Sequence, residues 1–66
     1  MIHITMKSAD LIKLLKKNGF EVVRISGSHH QLRKEGRPGV VTVPHPKKDL
    51  GVGLIKAILK QAGLKE

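Results

Sequence analysis

Residues 19–44, GFEVVRISGSHHQLRKEGRPGVVTVP, carry three runs of strand character separated by two turn signals. Residues 20–25 (FEVVRI) are β-branched and aromatic between Gly19 and Ser26-Gly27, the pattern of a strand. Gly27-Ser28 signals a turn, so residues 29–34 (HHQLRK) are expected to return as a second strand, polar at most positions. Residues 35–39 (EGRPG) hold two glycines and a proline and predict another turn. Residues 40–43 (VVTV) predict a third strand, halted by Pro44. Connections this short imply an antiparallel meander.

The flanks are helical. Leu11, Ile12, Leu14 and Leu15 form an apolar stripe, with Lys13, Lys16 and Lys17 off it, and predict a helix over 8–18. Ser8 is expected to be its N-cap, Asp10 suits the positive end of its dipole, and Asn18-Gly19 ends it. From about residue 50 the helical spacing returns in Leu54, Ile55, Ile58, Leu59 and Ala62, with Gly63 expected at the C′ position. The order is α-β-β-β-α. Each helix must bury one stripe, so the expected fold is α+β: a three-stranded antiparallel sheet with both helices on one face. Residues 6–64 are expected to form a single domain, with 1–5 a peripheral extension.

A 66-residue chain has no room for an enclosed pocket, since a domain of about this size buries only about 60% of its unfolded surface. Chemistry must sit on a surface or in a shallow groove. Thirteen Lys and Arg against five Asp and Glu give a net charge of +8, which favours a polyanion and nucleic acid first. Surplus lysine also serves plain solubility. Cysteine is absent, which excludes a disulfide framework and thiolate metal sites. One Phe, with no Trp or Tyr, excludes binding of bases on an aromatic platform, so any RNA contact must use charge, shape and hydrogen bonds. Nothing resembles a leader or a membrane span, and a cytoplasmic location is expected.

Gly27-Ser28-His29-His30 is the most unusual local feature. Side chains alternate between faces along a strand. Leu32 is the only apolar residue of the second strand, so its face, shared with His30 and Lys34, should meet the helices. His29, Gln31 and Arg33 should share the open face, with His30 at the rim of the core. An open-face histidine beside an arginine suits RNA cleavage. Attack of a ribose 2′-OH on its neighbouring phosphate needs a base and cationic donors for the developing charge. Imidazole, with an unperturbed pKa of about 6.5, offers both protonation forms near neutrality. The strand-face argument therefore favours His29 as the catalytic residue, with His30 second. Gly27 permits close approach to substrate, and Ser28, Arg33 and Lys34 are candidate RNA contacts. Against this, strand histidines are more often structural. A zinc site of His29, His30 and His45 is disfavoured because adjacent strand residues point apart. No metal and no small-molecule cofactor are expected.

The segment Val43-Pro44-His45-Pro46-Lys47-Lys48 is the second candidate. It suits a phosphate-facing loop contacting RNA through Lys47 and Lys48, and equally a rigid connection into the second helix. Gly51 and Gly53 could admit a phosphate to that helix's N-terminus, though capping and tight entry to the helix explain them better.

Taken together, Met6-Lys7-Ser8, Gly19-Phe20, Val23-Arg24-Ile25, Gly27-Ser28-His29-His30-Gln31, Val41-Thr42-Val43-Pro44-His45-Pro46 and Ile58-Leu59-Lys60-Gln61-Ala62-Gly63-Leu64 resemble the HicA (YcfA-like) toxins over nearly the whole chain. The resemblance implies the fold of double-stranded RNA-binding domains and translation-independent cleavage of mRNA. It also implies a HicB-type antitoxin as partner, covering a catalytic histidine in the Gly-Ser-His-His motif. The place of that histidine differs between relatives, so the resemblance leaves His29 and His30 open.

Three readings follow. The first is a metal-independent endoribonuclease toxin. The second is a non-catalytic RNA-binding module, which explains the charge but gives no reason for the histidine motif. The third is a subunit whose basic surface mainly docks an acidic antitoxin.

Overall fold

A tight hairpin organises the molecule. In the computed structural model, which describes residues 6–64, β1 (Phe20–Ser26) turns at Gly27-Ser28 into β2 (His29–Lys34), and β3 (Val41–Pro44) returns along β2's other edge. The sheet order is β1-β2-β3, both pairings antiparallel. Residues 1–5, expected to be peripheral, lie outside the described residues. The helices are α1 (Ser8–Lys17) and α2 (Val52–Gln61), so the expected α-β-β-β-α order holds.

One apolar cluster joins the layers. Leu11, Ile12 and Leu15 from α1 and Ile55, Ile58 and Leu59 from α2 are buried against Phe20, Leu32, Val41 and Val43. Val22 pairs with Leu32, and Leu32 pairs with Val41, so these sheet residues occupy one face and both helices cover it. α2 ends as expected. Gly63 has φ +76°, its N–H donates to the Lys60 carbonyl at 3.0 Å, and the Leu64 N–H donates to the Leu59 carbonyl at 2.8 Å, a Schellman closure. No helix among the described residues is long and apolar enough to cross a membrane.

Four local expectations need correction. Ser8 is not the N-cap of α1. Lys7 takes that place, in extended geometry and without a side-chain cap, while Ser8 is the first helical residue and is buried. Its hydroxyl is engaged by the loop after β3, which a local capping rule does not see. β3 runs one residue later than expected and includes Pro44, tolerated at the end of an edge strand. α2 starts at Val52 rather than near 50, because Leu50 pairs with Met6 and donates its N–H to the Met6 carbonyl at 2.9 Å. The fourth departure is a bulge in the sheet: Val22 pairs with Leu32 but Arg24 with Gln31, which leaves Val23 unpaired. The extra residue swaps the faces beyond it, so Arg24 joins the open face and Ile25, opposite His30, joins the helix side.

Candidate nuclease site

The two motif histidines part company on β2. His29, opposite Ser26 and Pro44, is exposed on the open face. His30, opposite Ile25 and Val43, is half-buried on the helix side with Leu32. This is the face assignment that alternation gave.

The register of β2 with β3 adds a second imidazole. His30 pairs with Val43, and His45 lies two residues beyond Val43, a diagonal neighbour on the same face. Pro44 has no N–H to offer, and the ladder is continued by His45, whose N–H donates to the Ser28 carbonyl at 2.7 Å. The His30 and His45 rings meet edge to face, centroids 4.7 Å apart at 78°. The His45-Pro46 peptide is cis.

Ser8 holds His45 from the other side. Its Oγ lies 2.6 Å from His45 Nδ1 and accepts the Lys47 N–H at 2.8 Å, while the Ser8 N–H donates to the Lys47 carbonyl at 2.8 Å. The start of α1 is thereby pinned to the β3–α2 loop. His30 Nδ1 is buried and has no hydrogen-bond partner among the described residues. Left without a partner such an atom costs free energy, of order 1–3 kcal/mol for a neutral group.

Both rings line a shallow groove of about 330 Å³ between α1 and the β1 edge. That is at the small end of the roughly 300–1,000 Å³ range of ligand clefts. Ala9 and Ile12 form one wall, Val22 and Ile25 the other, and Lys16 supplies a cation. Its apolar lining is Ala9, Ile12, Val22 and Ile25, and its chemistry-bearing groups are imidazoles and an ammonium.

The remaining sequence candidates scatter. Gly27 and Ser28 form the β1–β2 turn. Arg33 is exposed on the open face, and Lys34 lies over Gly19 on the helix side. Four residues separate Lys34 from His30, roughly 13 Å along a strand. Lys47 and Lys48 are exposed in the loop that carries His45. His29 stands on the opposite face from His30 and His45, so the three-histidine zinc set does not come together. Among the described residues no three of His, Cys, Asp and Glu converge. Sequence reasoning missed Ser8, Lys16 and the pairing of His45 with His30. Continuing alternation through Pro44 would have found the last.

Known proteins resemble this chain in sequence and in fold. The chain is 38% identical over 61 residues to a probable mRNA interferase HicA of Pseudomonas fluorescens (strain Pf0-1), covering 92% of this chain and all of the relative. A solved structure of a HicA3 and HicB3 toxin-antitoxin complex contains a chain that superposes with a TM-score of 0.76 at 39% identity, covering 91% of this chain and 97% of that one. The sequence model of the family described as HicA toxin of bacterial toxin-antitoxin matches residues 8–64, from the serine that holds His45 to the end of the α2 closure. With fold, length and motif set in agreement, the chain belongs to the HicA toxin family.

Proposed function

We propose that the chain is a metal-independent endoribonuclease toxin that cuts mRNA, with His30 as its catalytic histidine. The observation that carries the assignment is that His30, and not His29, lines the groove, in contact with a second imidazole. In this reading His30 takes the proton of a ribose 2′-OH as that oxygen bonds to phosphorus. It returns the proton to the 5′-oxygen as the P–O5′ bond breaks. The products are a 2′,3′-cyclic phosphate and a 5′-hydroxyl, with no net change in protons. In this reading Lys16 in the groove and Lys47 and Lys48 in the loop that carries His45 hold the backbone. The named substrate of the curated relative and the HicB3 partner of the solved one support mRNA as target and a HicB-type antitoxin as inhibitor. The location that goes with this reading is the cytoplasm.

The test is cleavage of a labelled mRNA in EDTA by the wild type and by His29→Ala and His30→Ala variants shown to be folded. We expect wild-type cleavage to persist in EDTA, and His30→Ala to lose about 10²- to 10⁴-fold, the range of general acid–base catalysis. His29→Ala should stay within a few-fold of wild type. Loss confined to His29→Ala would move the chemistry to the open face, beside Arg24 and Gln31. Binding without cleavage by the wild type would favour the non-catalytic module.

A further inference from the structure

We infer that His45 is a second catalytic residue, acting as a neutral hydrogen-bond donor through Nε2–H to the reacting phosphate, and that Ser8 is the positioning residue that fixes this tautomer. The inference rests on the nuclease reading above and extends it to residues outside the Gly-Ser-His-His motif.

The tautomer follows from counting donors and acceptors around a buried hydroxyl. Ser8 is 1% exposed. Its Oγ already accepts the Lys47 N–H, and its only other side-chain partner among the described residues is His45 Nδ1. If Nδ1 carried a proton and donated it, Oγ would accept twice and the serine O–H would be buried without an acceptor among the described residues. Such an orphan costs about 1–3 kcal/mol. The satisfied arrangement has the serine O–H donating to an unprotonated Nδ1, which leaves the proton of the neutral ring on Nε2. Nε2 lies on the far side of the ring from Ser8, and the ring lines the groove beside His30.

A fixed N–H beside the base is what the transition state needs. As the 2′-oxygen adds to phosphorus, charge grows on the non-bridging oxygens, and a pre-aimed donor stabilises that charge more than it stabilises the ground state. Two backbone-anchored hydrogen bonds hold the donor in place: the His45 N–H to Ser28 and the Lys47 N–H to Ser8. His45 keeps its proton throughout, so the proton cycle of His30 is unchanged.

The roles of donor and acid separate by substitution. Gln can present an amide N–H near the Nε2 position but cannot release a proton. We expect His45→Ala to lower the cleavage rate about 10²- to 10³-fold, the cost of removing one oxyanion donor. His45→Gln should recover to within about tenfold of wild type, and its pH–rate profile should keep the wild-type shape. Long-range ¹H–¹⁵N spectra of the imidazoles supply a readout independent of activity. In the wild type His45 should show a bare Nδ1 and a protonated Nε2, and Ser8→Ala should give a mixture of tautomers. A folded His45→Ala that cuts like wild type, or a wild-type His45 protonated on Nδ1, would overturn the inference and leave the nuclease reading standing. His45→Gln as inactive as His45→Ala, with a limb of the pH profile lost, would make His45 a proton donor and overturn it too. A wild type that cuts no RNA would instead remove the nuclease reading on which this one rests.

Discussion

Gly27 sits where one dihedral angle sets the position of both motif histidines. Its φ is +59°, while Ser28 has no positive φ, the pattern of a two-residue hairpin whose first central position needs the left-handed side. Nothing lies within 4 Å of where a Cβ would stand, so a side chain there would meet only conformational strain. We expect Gly27→Ala to cost about 1–2 kcal/mol. At about 4–8 °C per kcal/mol for a domain of this size, that lowers Tm by about 4–16 °C. Thermal unfolding followed by circular dichroism checks it, and a change below about 2 °C would mean the turn tolerates another geometry. At this scale the sequence was partly legible. The turn and the opposite faces of His29 and His30 follow from Gly-Ser and from Leu32. The partner of His45 does not, because Ser8 lies 37 positions away and capping rules describe only neighbours.

β2 is the element on which the groove is built, being the middle strand and carrying His30 two residues from Leu32. Leu32 is fully buried between strands and helices. Leu32→Ala is expected to cost about 2–5 kcal/mol, which approaches the roughly 3–5 kcal/mol that a core this small supplies. Urea unfolding should find Leu32→Ala largely unfolded, or folded with a much lower midpoint. Leu32→Met should lose less than about 1.5 kcal/mol. Equal stability of the two would show that the site collapses around the smaller side chain. All five elements were legible, since each helix has an apolar stripe and each strand is bounded by turn residues. Their joins were not. The bulge at Val23 exists only relative to β2, and an isolated FEVVRI run gives no sign of it, yet it places Ile25 at the lip of the groove. Leu50 extends the apolar pattern of α2 backwards, but its backbone is committed to Met6.

For the molecule as a whole, composition gave a charge of +8 but not its distribution, which turns out to involve both faces of the sheet. Lys16 lines the groove, Lys47 and Lys48 flank His45, and Arg24 and Arg33 are exposed on the open face with His29. Under the proposed reading, RNA in the groove engages the first set and leaves the second free. If about four phosphates are neutralised, affinity for single-stranded RNA should fall with salt at a log–log slope of about −3. His30→Ala is the protein to use, so that the RNA survives the titration. Lys47→Ala and Lys48→Ala should each flatten the slope by about 0.7, the contribution of one phosphate contact on a single strand. Arg33→Ala should leave it unchanged. Sequence preference should change little in any variant, because the single Phe, Phe20, is buried in the core and no Phe, Tyr or Trp ring is free to stack on a base. A slope near zero for the parent would remove the electrostatic account of RNA binding. A flattening by Arg33→Ala equal to that of the loop lysines would place the RNA on the open face. It would then return His29, the exposed histidine there, to the centre of the chemistry.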